Sequence, residues 1–286
     1  MDVVVPFRGS PAELEELRAR LARLELREGD SMLVVDNTAG RGSSDVPVPV
    51  MAATEHATPG YARNRGAERG GADWLLFIDA DVVPSPDLLE RYFEPQPAED
   101  TAILAGGVRD EPVGAEAGPV ARYAYISNAM SQDNTLSYGP KFGFPQTANA
   151  ALRRAAFEAV GGFREDIRAG EDADLSFRLR DAGWKVERRE RAAVVHLSRQ
   201  TVRALIAQRM RHGAAGAWLG REYPGGFPAR RRPGLVWWGL RTATRELVAA
   251  ARNRDRDAAL VAVFEPLEQI SYEFGRSLRN ERPRRS

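Results

Sequence analysis

Five apolar residues, Trp74 to Ile78, run directly into Asp79-Ala80-Asp81. Two carboxylates on one turn repel each other unless a cation neutralises them. Such hard oxygen donors suit Mg²⁺ or Mn²⁺, which take phosphate oxygens as further ligands. A helix N-cap explains the pair poorly, because Ser85-Pro86-Asp87 already supplies the next cap. A second acidic group, Gly170-Glu171-Asp172-Ala173-Asp174, stands at the start of a helical stretch. The helix dipole accounts for one or two acids there. A glycine and two consecutive acids go beyond that need, and one carboxylate is a candidate general base. His196 closes the run Ala192-Ala193-Val194-Val195 and is either a polar residue at a strand end or a ligand. Arg63-Asn64 lies early in a helix, where anions are favoured; a solvated helix face is the plain alternative. His56 and His212 have no such context and read as surface or helix residues.

These side chains need elements to position them. Val3–Val5 is a β-branched run ended by Pro6. Ser10-Pro11-Ala12-Glu13 has the form of a capping box with proline at the first helical position. Leu14, Leu17, Leu21 and Leu24 follow at helical spacing, and Glu28-Gly29-Asp30 ends the segment. Met32–Val35 reads as a second strand stopping at Asp36, and the alternation of Val46, Val48 and Val50 suits a short third strand. Thr58-Pro59 opens a helix that Gly70-Gly71 ends, and Trp74–Ile78 is a fourth strand. Ile103–Val108 reads as a fifth. Arg109 to Gln146 reads as a long irregular segment, of the kind that is functional or disordered. Helices are expected over Arg153–Val160, Asp172–Ala182 and Thr201–Leu219. Alternating apolar strands and helices argue for an α/β fold with a parallel sheet covered on both faces. Ligands in such sheets lie at the carboxyl ends of the strands, where Asp36 and Asp79/Asp81 fall.

The 286 residues carry 41 basic and 40 acidic side chains, a net charge of +1, which argues against a nucleic-acid-coating protein. The absence of cysteine excludes disulfides, thiolate metal sites and cysteine nucleophiles. Pro6 and Arg8 interrupt the amino-terminal apolar run, so no signal peptide is expected, and no stretch reaches the ~20 apolar residues of a membrane span. A cytoplasmic location follows as an expectation. From Pro228 to Ser286 there are 13 Arg against 7 Asp and Glu. Within this segment Arg230-Arg231-Arg232 precedes Leu235-Val236-Trp237-Trp238, and Ala258–Phe264 and Leu267–Leu278 look amphipathic. Basic residues beside tryptophans suit an interfacial helix on anionic lipid at the inner face of the membrane; docking on the rest of the chain or on a second subunit is the alternative.

The succession VVVPFRG, LVVDN, ARNRGAERGGADWLLFIDAD, TANAALRRAAFEAVGGFRED, GEDADLSFRLRDAGW and VVHLS resembles the bacterial, non-processive members of glycosyltransferase family 2, over roughly residues 2 to 215. The resemblance implies a GT-A (Rossmann-like) fold: a mixed, mostly parallel sheet flanked by helices, with residues 1–227 as catalytic domain and 228–286 as a helical C-terminal extension. It implies metal-dependent, inverting transfer of a sugar from a nucleoside-diphosphate sugar to an acceptor hydroxyl that the sequence does not name, with Mn²⁺ or Mg²⁺ as cofactor and UDP as the first expectation for the carrier. By the same resemblance Asp172 is the base with Glu171 beside it. Asp36 contacts the donor's base, Arg63 approaches the nucleotide, and Asp79 binds ribose or sugar hydroxyls. Pro6, Arg8 and Ala80 belong to the donor side. Asp81 holds the metal with help from His196, and Asn149, Gly162 and Trp184 flank the acceptor.

The sequence departs from the family at Asp36-Asn37-Thr38-Ala39, where Asp-Asp-Gly-Ser is usual, which leaves base selection open. Gln208-Arg209-Met210-Arg211-His212 has histidine where processive members have tryptophan. Two other readings stand beside this one. Phe77-Ile78-Asp79-Ala80-Asp81 also resembles the first motif of haloacid-dehalogenase-like phosphatases, although that motif usually lies near the N-terminus with a downstream lysine, and only Lys141 and Lys185 exist here. A non-catalytic nucleotide-sugar-binding module is the other reading, against which the joint presence of Asp79, Asp81, Glu171 and Asp172 argues.

Overall fold

The computed structural model describes residues 1–38, 48–114, 116–230 and 232–281. Val46, Ala39, Arg231 and the last five residues, on which parts of the sequence reading fall, lie outside the described residues. The chain opens with β1 (Asp2–Phe7), α1 (Pro11–Leu21), β2 (Ser31–Asp36), β3 (Val50–Ala52), α2 (Pro59–Ala67) and β4 (Trp74–Ile78). Next come β5 (Val82–Pro84), α3 (Leu88–Arg91), β6 (Thr101–Asp110) and the short helices α4 (Pro119–Ser127), α5 (Asp133–Leu136) and α6 (Gly139–Phe142). Then follow β7 (Asn149–Arg153), α7 (Arg154–Ala159), α8 (Glu171–Asp181), β8 (Lys185–His196), α9 (Val202–Glu222), α10 (Arg232–Asn253) and α11 (Arg256–Gly275).

Eight strands form one sheet in the order β3-β2-β1-β4-β7-β6-β8-β5. Pairings β1 with β2, β1 with β4, β2 with β3 and β6 with β8 are parallel. β7 runs antiparallel between β4 and β6, and β5 is antiparallel to β8. The sheet is therefore mixed and mostly parallel. No strand is expected over β7, because Asn-Ala-Ala-Leu-Arg lacks the β-branched and aromatic residues that fill strands. Its alanines are fully buried because both faces of the sheet are packed there, Ala151 in one core cluster and Ala150 in the other.

β4 shows why the fold needs apolar runs. Leu76 and Ile78 face one core cluster with Val3, Val5 and Leu104, while Leu75 and Phe77 face the other with Val4, Val35 and Ile103. Helices cover both sheet faces, so alternate residues are equally buried. α1 forms as expected: Ser10 accepts from the Glu13 amide at 3.3 Å, and Glu13 accepts from the Ser10 amide at 2.6 Å. It ends at Leu21, and Leu24 is buried from the turn beyond it. The segment 109–146 is less irregular than expected. Gln132, 2% exposed, donates to the carbonyls of Gly106, Gln146 and Asn149 at 3.0, 3.2 and 3.3 Å, and so fastens the α5 region to the sheet.

The two helical stretches expected near the C-terminus are one helix, α11, with Pro266 inside it. α11 lies along α9, where Gly213 and Gly275 permit near contact of the two backbones. It also meets α4 through a bidentate Arg122–Asp257 pair (2.9 and 2.5 Å) and through Tyr123, which donates to Glu268 at 3.0 Å. α10 packs on α11 from outside. Among the described residues no helix is long and apolar enough to cross a membrane.

Candidate active site

The carboxyl ends of β1, β2, β4 and β6 gather the acids. Asp36 ends β2 beside Phe7 of β1. It is fully buried, and its Oδ1 accepts from the Thr38 amide at 2.8 Å. Among the described residues nothing hydrogen-bonds its Oδ2. A buried carboxylate oxygen with no donor is costly, and a ligand N–H would relieve it. Pro6 is the penultimate residue of β1, and Arg8, just beyond the strand, is exposed.

The two acids of the Asp-x-Asp turn take different partners. Asp79 accepts from Arg63 Nη2 at 2.7 Å. The other arm of that guanidinium, Nη1, donates to Glu171 at 2.7 Å. Arg63 is 3% exposed, and its guanidinium carbon lies 5.5 Å from the centre of the Phe163 ring. Burial alone would lower its pKa, but Asp79 and Glu171 outweigh it and hold the group above the ordinary value. The cation that the acidic turn needs is thus supplied in part by the chain. Asp81 instead faces His196, with Oδ2 3.4 Å from Nε2 and 3.9 Å from Arg199 Nη2. Between the acids, the Ala80 carbonyl accepts from Arg20 at 2.7 Å, which pins the turn to α1.

His196 ends β8 and is 2% exposed. Its Nδ1 is 3.4 Å from Asp110 Oδ1 at the end of β6. Both separations exceed an ordinary N–H···O bond, and among the described residues neither ring nitrogen is hydrogen-bonded. Burial opposes the charged imidazolium, but Asp110 and Asp81 outweigh it and lift the pKa to about 9. The donor set fits a divalent cation if Nε2 gives up its proton on binding: a part-exposed carboxylate faces an imidazole nitrogen that no described residue hydrogen-bonds. Among the described residues no three His, Cys, Asp or Glu side chains are grouped to hold a metal. Asp81 and His196 are the two side chains that would hold a cation here.

α8 presents the remaining acids. Gly170 stands at its N-cap with φ of +85°, a conformation open to glycine. Its α-carbon faces Ala215 and Leu219 of α9, and a side chain there would crowd them. Asp172 is partly exposed and accepts from the Ala173 amide at 2.8 Å. Desolvation and the neighbouring charge of Glu171 push its pKa up to about 7, although Arg63 and that amide oppose the rise. The loop ahead of Gly170 is held by the C-terminus. The Asn280 side chain donates to the Ala169 carbonyl at 2.9 Å, and the Arg168 amide donates to the Asn280 carbonyl at 2.9 Å.

Three residues that the resemblance puts beside the acceptor have structural partners in the fold. Asn149 is fully buried: Oδ1 accepts from Tyr92 Oη at 2.7 Å, and Nδ2 donates to the carbonyls of Gly107 and Ala192 at 2.9 and 2.8 Å. Its amide ties β7 to β6 and β8, with both N–H groups used. Gly162 turns the chain at φ of +68° against Asn64, and its carbonyl accepts from Arg178 at 2.7 Å. Trp184 precedes β8 at the end of the strand opposite His196 and packs on the core. His56 is also not a surface residue; it is 6% exposed, with its ring 5.2 Å from Tyr61. Asp110, Arg199 and Asn280 were not singled out by the sequence. A strand-terminal acid and a basic residue three after His196 were the available signals for the first two; Asn280 had none.

This arrangement, strand-end acids facing a helix that begins with two more, is that of the GT-A architecture. Residues 30–215, more than half of the chain, match the family described as glycosyltransferase-like family 2, and the chain belongs to that family. It is similar to the pre-mycofactocin glycosyltransferase of Mycobacterium tuberculosis (28% identical over 241 residues, covering 78% of this chain and 48% of that protein). The succinoglycan biosynthesis protein ExoA of Rhizobium meliloti is 26% identical over 223 residues, covering 74% of this chain and 67% of that protein. The chain thus spans about half the length of the mycobacterial relative. Among solved structures, a mannosyltransferase from Pyrobaculum calidifontis in complex with GDP-Man and Mn²⁺ superposes with a TM-score of 0.57 at 17% identity, covering 95% of this chain and 85% of that one. The family match sets aside the phosphatase reading of Asp79-Ala80-Asp81.

Proposed function

We propose that the chain transfers a sugar from a nucleoside-diphosphate sugar to an acceptor hydroxyl with inversion at the anomeric carbon. The supporting observation is the link that Arg63 makes between Asp79 at a strand end and Glu171 beside Asp172. It joins Asp79 to the start of the helix that carries the base candidate in one ion-pair network.

Asp172 takes the acceptor's proton as its oxygen attacks C1; the bond from C1 to the diphosphate oxygen breaks, and the nucleoside diphosphate leaves. One carboxylate aligned with the acceptor suffices for this displacement. A pKa near 7 suits a base that works near neutrality. Arg63 holds Asp79 and Glu171 in place, one on each arm of its guanidinium, so Asp79 meets donor hydroxyls in a fixed rotamer. Oδ2 of Asp36, which no described residue hydrogen-bonds, accepts an N–H from the donor's base; uracil and guanine both offer one, and UDP is the first carrier to test. Asp81 and His196 would hold Mn²⁺ or Mg²⁺, which when bound offsets the negative charge developing on the leaving diphosphate. The mannosyltransferase with the similar fold holds GDP-Man and Mn²⁺, which is consistent with such a site.

The test is a thermal-shift series with UDP, GDP, dTDP, CDP and ADP, each with and without Mn²⁺ or Mg²⁺. A ligand of the native state raises the melting temperature by mass action. One nucleotide should give a metal-dependent rise that Asp81→Ala removes. No rise with any of the five would count against the donor site.

A further inference from the structure

α10 is the outermost layer of the molecule. Leu235, Gly239 and Ala250 are buried on its inner side, and Gly239 lies against Pro266 and Ile270 of α11. Its outer side is one stripe at helical spacing: Trp237, Leu240, Arg241, Arg245, Val248 and Arg252. Trp237 is 69% exposed, Leu240 60% and Val248 47%. The stripe carries three arginines and no acid. The single acid of α10, Glu246, pairs with Arg245 at 2.7 Å, against four arginines in the helix. Trp238 is turned aside, half-buried, with Arg230 5.6 Å from its ring. Only Trp237 of the two tryptophans points outward.

We propose that this face of α10 seats the protein on a bilayer containing anionic lipid. The occupant must offer apolar contact and negative charge along the same line, for roughly 23 Å from Trp237 to Arg252 at the α-helical rise. A bilayer interface offers both: the indole and aliphatic groups enter the headgroup boundary, and the arginines extend to lipid phosphates. A second copy of the chain is a poorer occupant, since an isologous contact would set arginines against arginines. No described helix is long and apolar enough to span a bilayer; the contact proposed for this face is a peripheral one. The proposal does not depend on which sugar is transferred, or on transfer at all.

Flotation of the full chain with vesicles of phosphatidylcholine alone, or with added phosphatidylglycerol, tests it. Binding should occur with the anionic vesicles, fall with added salt, and be absent with phosphatidylcholine alone. Trp237→Ala/Leu240→Ala and Arg241→Glu/Arg245→Glu should each weaken it by about tenfold or more, with unchanged circular dichroism. Val263→Ala, at an exposed apolar residue of α11, should leave it intact. Failure of the wild type to float on anionic vesicles, or flotation of both double variants equal to that of the wild type, would overturn the proposal. So would a dimer in light scattering that Trp237→Ala/Leu240→Ala dissolves, which would assign the face to a second copy.

Discussion

Asp79 and Glu171 share one guanidinium: Arg63 reaches each at 2.7 Å from a different nitrogen. Removing Arg63 would leave two carboxylates facing each other, with Glu171 almost fully buried. Loss of one partner from a buried ion pair costs about 3–5 kcal/mol. Arg63→Ala should lower thermal stability by that order, measured by circular dichroism melting. Glu171→Gln/Arg63→Met, which removes charge from both sides, should recover part of the loss. Equal stability of Arg63→Ala and wild type would mean that the bridge is not formed in solution.

Asp172→Asn keeps the shape of the side chain and removes the base. Sugar transfer should fall by about 10²–10⁴-fold, while the thermal shift given by the nucleoside diphosphate stays unchanged. Near-normal transfer by this variant would show that another group takes the proton.

The same residue fixes the pH response. Asp172 must be ionised to act, and its pKa lies near 7. Turnover should therefore rise from pH 5.5 to 8.5 with an inflection at about 7. The stability contribution has the opposite sign. The folded protein holds this proton up to about pH 7, whereas the unfolded chain releases it near 3.8. The contribution is greatest below the unfolded value and is lost as pH rises between the two. Comparing wild type and Asp172→Asn in denaturant melts across that window isolates it. A pH-independent difference between the two would contradict the raised pKa.

Asn280 acts on α8 at a distance, as a positioning residue. Its side chain is 1% exposed and donates to the Ala169 carbonyl, just before Gly170. Asn280→Ala should cost about 1 kcal/mol of stability. It should also lower kcat several-fold with little change in the donor KM, because the donor-side residues Asp36, Asp79 and Asp81 lie on strand ends that it does not touch. A change confined to stability would make the contact structural alone.

Much of this site was legible from sequence. Asp36 closes the apolar run of β2, and Asp79 and Asp81 follow that of β4, because a run buried on both faces accepts few charges. Ser10 and Glu13 fixed the start of α1, because a capping box is satisfied within four residues. Gly170 marked the start of α8, because few other residues adopt positive φ. Each of these depends on local chemistry alone.

Other features depended on distance through the fold. Asn149 carries the same amide whether it faces an acceptor or the core; only the approach of Tyr92, Gly107 and Ala192 decided its role. The alanines of β7 became a strand because a place between β4 and β6 required small buried residues. Trp184 and His196 stand at opposite ends of one strand, and polarity cannot reveal which end meets the ligand. The partners of Arg63 and the clasp of Asn280 on the α8 loop arise from long-range packing. The sequence by itself determined which groups could do chemistry and where strands must end. The tertiary structure decided which charges meet, because that depends on crossovers and close packing that residue spacing does not encode.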